Sequence, residues 1–273
     1  MVRSPNRSRR VFAVAVLILL AVVGAAAVLA TIGVPGLPFG PDGDGERLAP
    51  GVYENETVNV TRLLEAHQTQ LRTSGFSAVT AVTSRTNGSV TVSSGQRVRA
   101  SPNLTQVRVR QNRSTADGEN VTAQVYSNET TTLVRQVVDG NESYQVRERT
   151  RGRTVPPISR ATLTVLGQAS GNFTVANVTE TDGERRITLT ADLPSGSSPS
   201  DARTQVSMVV DSQGVIHTLT VQSGREGGAQ TIESAYRLRE LGVESVDRPA
   251  WVSELPANAT RRTPIDGQQP VGR

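Results

Sequence analysis

The sequence of 273 residues predicts an α+β protein in which an N-terminal transmembrane helix precedes a mostly antiparallel β-meander packed on one or two helices. Three observations support this fold class. Residues 11–34 carry no charge, one later segment has the apolar spacing of an amphipathic helix, and most of the remainder alternates valine with polar residues between turn signals. Strands that follow one another through short turns pair antiparallel, which favours a meander over parallel strand–helix–strand units.

The apolar run from Val11 to Val34 is the predicted membrane span. Its 24 residues carry no charge, and at about 1.5 Å of rise per residue such a helix crosses a hydrocarbon core of about 30 Å. Four arginines and no acidic residue precede it: Arg3, Arg7, Arg9 and Arg10. The positive-inside rule therefore predicts a single-pass protein of the cell membrane whose C-terminal domain lies outside the cell. A cleaved signal peptide is the alternative, although its apolar core usually spans only about 7 to 15 residues.

The composition divides the chain into five predicted segments. Linkers and tails are rich in proline and glycine and lack apolar periodicity, whereas the folded part shows it throughout. On this basis the segments are a cytoplasmic stub (1–10), the transmembrane helix (11–34), a linker (35–52), an extracellular β-rich domain (53–255) and a disordered tail (256–273).

The net charge of the chain reflects topology rather than a nucleic-acid partner. All 29 basic residues are arginine, and those that follow the span balance the 25 acidic residues. No nucleic-acid-binding motif accompanies them, so we predict no nucleic-acid partner. The chain has no cysteine, which excludes disulfides, thiolate metal ligands and cysteine nucleophiles.

Every one of the 12 asparagines is followed two residues later by serine or threonine. This is the acceptor pattern for N-linked glycans and predicts a multiply glycosylated surface protein. The alternative is that this tripeptide suits turns in a threonine-rich β protein. Asn6 would lie on the cytoplasmic side and stay unmodified. The predicted glycosylation sites are Asn55, Asn59, Asn87, Asn103, Asn112, Asn120, Asn128, Asn141, Asn172, Asn177 and Asn258.

The segment after the linker predicts a helix. Thr61 is the expected N-cap, and Ser74–Gly75 is the expected end of the helix. The residues between them place one apolar face toward the interior: Leu63, Leu64, His67 and Leu71.

From Phe76 onward the apolar period changes to two, which predicts strands with one buried and one wet face. Asn87–Gly88 lies between two such segments, and this dipeptide is typical of a two-residue hairpin turn. Further strands follow, and they resume after Gly171. Between these two groups the segment ISRATLTVLGQAS follows a proline pair, which predicts a short helix or an ordered crossover.

The segments LLEAH, VVDSQGVIHTLTV and VDRPAWV, in this order around a long run of strands, resemble an uncharacterised family of haloarchaeal surface lipoprotein-like proteins. The exterior domain of that family is similar to the Lol-type lipoprotein-carrier fold. The resemblance therefore implies an open half-barrel of antiparallel strands over Val52 to Leu255, with lipid or lipoprotein binding as its activity. This chain lacks the lipobox cysteine, so the transmembrane helix would replace a lipid anchor.

No arrangement of residues in the sequence predicts catalysis. The two histidines, His67 and His217, are not spaced as a metal-binding motif, and the acidic pairs lie in glycine-containing turns. The sequence contains no nucleophile elbow, phosphate-binding loop or dinucleotide-binding glycine cluster. We therefore predict a protein that is not an enzyme and that has no metal or cofactor. His217 is expected to be exposed or to lie at a hairpin end.

Alternating arginines in two predicted strands suggest an anionic-ligand patch. If the two strands lie close together, their guanidinium groups can hold phosphate or sulfate groups in a bidentate manner. The alternative is the solvated face of a two-sided sheet. The candidate residues are Arg108, Arg110, Arg147, Arg149, Arg151 and Arg153.

The sequence leaves two functions open for the exterior domain. One is a membrane-anchored glycoprotein domain that binds a lipid or another apolar ligand through Leu63, Leu64, His67 and Leu71. For His67 the alternative is a buried core histidine with a hydrogen-bond partner. The other function is a structural or interaction module of the cell surface without a ligand. The expected partners are the membrane, through residues 11–34, and lipid or surface-layer components.

Overall fold

The computed structural model describes residues 45–54, 58–149, 158, 160–181, 183–194, 203–224, 229–255 and 259–262. The predicted cytoplasmic stub and transmembrane span lie outside these ranges. Among the described residues, no helix combines the length and the apolar character that a membrane crossing requires.

The described chain contains fourteen strands and two α-helices. The strands are β1 (Arg47–Ala49), β2 (Val52–Tyr53), β3 (Phe76–Thr86), β4 (Ser89–Ala100), β5 (Val107–Thr115), β6 (Asn120–Ser127), β7 (Thr131–Val138), β8 (Asn141–Glu148), β9 (Thr174–Thr181), β10 (Glu184–Pro194), β11 (Arg203–Asp211), β12 (Ile216–Gly224), β13 (Gln230–Leu241) and β14 (Thr260–Arg262). The helices are α1 (Val60–Ser74) and α2 (Arg160–Ala169).

Twelve of the strands form one sheet in the order β14-β8-β7-β6-β5-β4-β3-β13-β12-β11-β10-β9, and β1 pairs with β2. All neighbours in the large sheet are antiparallel except β14, which runs parallel to β8. No pairing among the described residues joins β14 to β9, so the sheet is open. The predicted α+β class and antiparallel meander are confirmed, and an open sheet is consistent with the predicted half-barrel.

The sheet consists of two meanders, β3 to β8 and β9 to β13, that meet through the pairing of β3 with β13. This pairing runs from Phe76 opposite Leu241 to Thr86 opposite Gln230. Within each meander, neighbours in sequence are neighbours in the sheet. Helix α2 lies in the connection between the two meanders, where the sequence predicted a helix or crossover.

The predicted hairpin turn at Asn87–Gly88 is confirmed. Thr86 pairs with Ser89 across a two-residue loop, and Asn87 and Gly88 have φ angles of 51° and 79°. Two positive φ values are the requirement of a type I′ turn, which matches the twist of the two strands.

Helix α1 begins two residues earlier than the sequence predicted, because Asn59 rather than Thr61 is its N-cap. The Asn59 side chain accepts a hydrogen bond from the backbone N–H of Arg62 at 3.1 Å. Thr61 lies inside the first turn, where its own side chain cannot cap. The predicted end is confirmed, since Gly75 follows the last helical residue and donates its N–H to the carbonyl of Leu71.

Replacing Asn59 with alanine should lower the free energy of unfolding by about 1 kcal/mol, because an N-cap side chain satisfies a helix N–H that otherwise has no partner. Urea denaturation of the full chain would measure this loss. Asn177→Ala provides the matched control, since Asn177 is exposed on β9 and its truncation should change stability by less than about 0.5 kcal/mol. Equal losses in the two variants would contradict the capping role.

Two segments that the sequence assigned to unstructured chain have structure. Residues 47–52 of the predicted linker belong to the β1–β2 hairpin, and Leu48, Ala49 and Val52 are buried there. The hairpin was missed because its strands have three and two residues, too short for a period to be read. In the predicted disordered tail, Thr260–Arg262 adds a parallel edge strand beside β8.

The main hydrophobic core lies on one face of the sheet, beneath both helices. It joins apolar residues of α1, α2 and β1–β2 to those of both meanders, including Leu63, Leu166, Leu189 and Leu219. A smaller cluster covers the opposite face of β6 to β8 and contains Tyr126, Leu133, Trp251 and Val252. We call this opposite face the outer face of the sheet.

Candidate functional site

A groove lies where the large sheet ends at β9. Val178 of β9 pairs with Ile187, which is fully buried, so both side chains lie on the core face. Val178 nevertheless remains 43% exposed, because the residues that pack over the core do not extend across this edge of the sheet. The groove has a volume of about 500 Å³ and is lined by Leu48, Glu54, Val175, Val178, Thr179, Glu180 and Arg185.

The lining of the groove is apolar on one side and charged on the other. Leu48 and Val175 belong to or pack against the main core and supply apolar surface beside Val178. Glu180 and Arg185 face each other across the β9–β10 pair. Such a lining can hold a small molecule that combines an apolar segment with a polar head.

The residues predicted to bind a ligand lie elsewhere, in the core beneath α1. Leu63, Leu64, His67 and Leu71 share one face of the helix, as the sequence predicted, and all four are buried. They therefore pack against the sheet in this structure and do not line the groove at β9. Their role toward a ligand stays a prediction.

His67 forms a buried polar contact between α1 and the sheet. Its Nδ1 accepts the backbone N–H of Ile216 at 3.1 Å, which leaves Nε2 as the protonated nitrogen that donates to the Tyr236 hydroxyl at 3.4 Å. The two rings meet edge to face with centroids 5.8 Å apart. Burial, with a smaller contribution from His217, lowers the pKa of His67 to about 3, so the imidazole is neutral. Burial likewise raises the pKa of Tyr236.

A second polar pair, His217 with Asp211, lies at the β11–β12 hairpin, consistent with the hairpin-end position predicted for His217. His217 Nε2 lies 2.8 Å from Asp211 Oδ2, and Asp211 Oδ1 accepts the backbone N–H groups of Gln213 and Val215. Burial raises the pKa of the Asp211 carboxyl, but these hydrogen bonds outweigh burial and leave that pKa below its ordinary value. The DSQG turn was the sequence signal for this pair, because Asp at such a turn commonly accepts nearby backbone N–H groups.

The structure does not bring the four described candidates for the arginine patch together on one face of the sheet. Strands β5 and β8 are separated by β6 and β7, and Arg147 lies on the core face with Val107, opposite to Arg108. Arg149 donates to the backbone carbonyls of Thr105 at 2.9 Å, Asn128 at 2.6 Å and Leu104, so it fastens two loops. The remaining two candidates, Arg151 and Arg153, lie outside the described residues.

Most of the predicted glycosylation sites in the described ranges are exposed, with Asn59 as the exception. Asn59 is buried and its side chain caps α1, so the folded domain offers no access for a glycan there. Asn55 and Asn258 lie outside the described residues. The exposed asparagines are Asn87, Asn103, Asn112, Asn120, Asn128, Asn141, Asn172 and Asn177.

Comparison with known proteins gives only weak structural likenesses. No protein-family model and no curated protein matches the chain. Among solved structures, LprF from Mycobacterium bovis is 12% identical with a TM-score of 0.33, covering 68% of this chain and 96% of LprF. A β-barrel-like protein of a domain of unknown function from Brucella abortus is 9% identical with a TM-score of 0.23, covering 64% of this chain and 99% of that protein. A LolA superfamily protein from Nitrosomonas europaea is 8% identical with a TM-score of 0.19, covering 71% of this chain and 96% of that protein. TM-scores this low carry no conclusion about fold or function.

Proposed function

We propose that this protein is a membrane-tethered extracellular binding module whose ligand is amphipathic and occupies the groove at β9. The observation that carries the proposal is Val178, a core-face side chain that is 43% exposed beside the apolar surfaces of Leu48 and Val175. Exposed apolar surface in a concave site favours binding of an apolar segment, because association removes that surface from water.

The size and charge of the groove support a ligand with one short apolar chain and a polar end. A volume of about 500 Å³ falls within the range of about 300 to 1,000 Å³ that is usual for small-molecule sites. Arg185 and Glu180 at the rim offer a hydrogen-bond donor and an acceptor to the polar end. A single-chain lipid has this chemistry.

The tether and the glycans of this proposal rest on the sequence. The uncharged run at residues 11–34 with arginines before it supports anchoring in the membrane with the domain outside. Eight exposed asparagines in acceptor tripeptides support a glycosylated surface. Resemblance to the haloarchaeal lipoprotein-like family supports the same placement at the cell surface.

A second candidate function is a structural or interaction module of the cell surface without a ligand. The filled core beneath α1 favours it, because Leu63, Leu64, His67 and Leu71 leave no exposed apolar surface there. Under this function the groove would hold only water.

Fatty-acid binding tests the proposal. The full chain in phosphatidylcholine nanodiscs should bind a fluorescent single-chain fatty acid in saturable fashion. Val178→Arg places a charge in the groove and should weaken this binding at least about tenfold, since an unpaired charge against apolar surface is unfavourable. Fluorescence titration would measure both dissociation constants, with empty nanodiscs subtracted.

Ile232→Arg is the matched control, because Ile232 of β13 is 44% exposed and lies outside the groove. This variant should bind the probe as tightly as the native chain. Equal affinity in Val178→Arg and Ile232→Arg would place any binding elsewhere. Absence of saturable binding by the native chain would favour the module without a ligand.

A further inference from the structure

The outer face of β4 and β5 brings four arginines together. Arg97 lies directly opposite Arg110, and Arg99 lies directly opposite Arg108. Directly opposite side chains in an antiparallel pair have Cβ atoms about 5 Å apart, where like charges are destabilising. The spacing of Arg108 and Arg110 along β5 is visible in the sequence, but only the register of β4 against β5 makes Arg97 and Arg99 their neighbours.

Carboxylates compensate only part of this charge. Arg99 donates to Glu240 at 2.8 Å. Within the described part of the chain, no ion pair joins Arg97, Arg108 or Arg110 to an acidic residue. Another acid on this face, Glu142, is already engaged by Arg135 and by the Tyr144 hydroxyl. Arg237 adds a further positive charge on the same face, because Val79 of β3 pairs with Arg97 on one side and with Arg237 on the other.

Two buried hydrogen-bond donors next to this cluster lack a partner. They are Nε of Arg108 and Nε1 of Trp251, both inaccessible to solvent. Tyr126 connects them, because it pairs with Arg108 across β5–β6 and packs with Trp251 in the small outer cluster. Trp251 is only 7% exposed. A buried donor without an acceptor costs about 1 to 3 kcal/mol, so this region is suited to a bound acceptor group.

We propose that Arg97, Arg108 and Arg110 form a binding site for a tetrahedral oxyanion of the phosphate or sulfate class. A guanidinium presents its N–H donors in a planar fork that matches two oxygens of such an anion. The anion would also separate the opposed positive charges. The site is distinct from the groove at β9, because it lies on the outer face and six to seven strands away along the sheet.

Trp251 offers a direct readout, because it is the only tryptophan in the chain. The full chain in phosphatidylcholine nanodiscs would be titrated with sodium sulfate and with sodium phosphate, with chloride replaced so that ionic strength is constant. Saturable change of the tryptophan emission is the expected result. Arg108→Gln and, separately, the exposed Arg97→Gln should each raise the apparent dissociation constant at least about tenfold.

Arg72→Gln is the charge-matched control, because Arg72 is exposed in the last turn of α1, outside the cluster. Its titration should match that of the native chain. An unchanged affinity in both Arg97→Gln and Arg108→Gln, or losses as large in Arg72→Gln, would overturn the proposal.

A second experiment distinguishes a lipid headgroup from a free phosphate or sulfate ion as the source of the anion. Vesicles of phosphatidylcholine with phosphatidylglycerol would be compared with vesicles of phosphatidylcholine alone for flotation of the chain held in nanodiscs. Flotation that depends on phosphatidylglycerol and is lost in Arg108→Gln would assign the anion to a lipid headgroup. Ion binding without such flotation would assign it to a free phosphate or sulfate group. Both results support the site, whereas flotation retained in Arg108→Gln contradicts it.

Discussion

Replacing Gly75 with alanine should destabilise the exterior domain by roughly 3 kcal/mol or more. Gly75 joins α1 to β3 with φ 70° and ψ 158°, a conformation that is essentially restricted to glycine. A Cβ atom at this position would lie 2.2 Å from the carbonyl oxygen of Val243 and 2.9 Å from that of Ala100. Both obstacles are backbone atoms, so a change of side-chain rotamer cannot relieve the overlap.

The backbone around Gly75 also has little freedom to move. Its N–H donates to the carbonyl of Leu71 at 3.1 Å, and its own carbonyl accepts the N–H of Gly242 at 3.0 Å. A shift that made room for a methyl group would break the end of α1 or its contact with the chain after β13. We therefore expect cooperative unfolding of the variant at a much lower urea concentration than that of the native chain.

Gly88→Ala separates backbone conformation from steric overlap. Gly88 has φ 79°, similar to Gly75, but no atom lies within 4 Å of its virtual Cβ. Alanine there should cost only the left-handed conformation, about 1 kcal/mol. Equal destabilisation by the two substitutions would show that the close contacts at Gly75 contribute nothing.

Acidification should destabilise the domain through His67, with a loss of about 1 kcal/mol per pH unit once the pH is below the unfolded-state pKa. That pKa is 6.5 in the absence of the fold, and burial lowers the folded-state pKa to about 3. Between these values the unfolded chain binds the proton more strongly. The contribution of neutral His67 is therefore fully present above pH 6.5 and is lost as the pH falls toward 3.

Urea denaturation between about pH 7.5 and pH 5 would measure this dependence above the range in which most carboxylates titrate. His67→Asn is the informative variant, because its amide oxygen can take the place of Nδ1 as acceptor for Ile216 N–H but does not titrate. Its stability should be lower, and its pH slope flatter, than that of the native chain. The other titratable groups that influence His67 are His217 and Asp211.

His217→Asn serves as the control for this slope, since it removes the second histidine and leaves the buried one. The part of the slope due to His67 should remain in this variant. A native pH dependence that survives in His67→Asn but disappears in His217→Asn would contradict the assignment to the buried imidazole.

Local features of the structure could be predicted from the sequence. The apolar spacing of Leu63, Leu64, His67 and Leu71 defined the buried face of α1, and the two-residue period identified the strands from Phe76 onward. Asn87–Gly88 identified its hairpin, because few dipeptides adopt two positive φ angles at low cost. These features depend on residues within about ten positions of each other, so their physics is contained in short segments.

Other features depend on residues that are distant in sequence, and only the tertiary structure decided them. The pairing of β3 with β13 determines which two meander edges join, and it leaves β9 at the end of the sheet with Val178 exposed. No local pattern selects that pairing, because every strand of the meander has the same alternation.

The two candidate sites combine features that the local sequence predicts with features that only the tertiary structure determines. Arginine spacing along β5 was visible in the sequence, but the register of β4 against β5 decided that Arg97 and Arg99 are its neighbours rather than the arginines of β8. The sequence by itself determined the fold class, the first helix and the hairpin at Asn87–Gly88, since these follow from local periodicity and turn chemistry. The tertiary structure decided the sheet order, the groove at β9 and the arginine cluster, since contacts between distant strands are set by packing of the whole core.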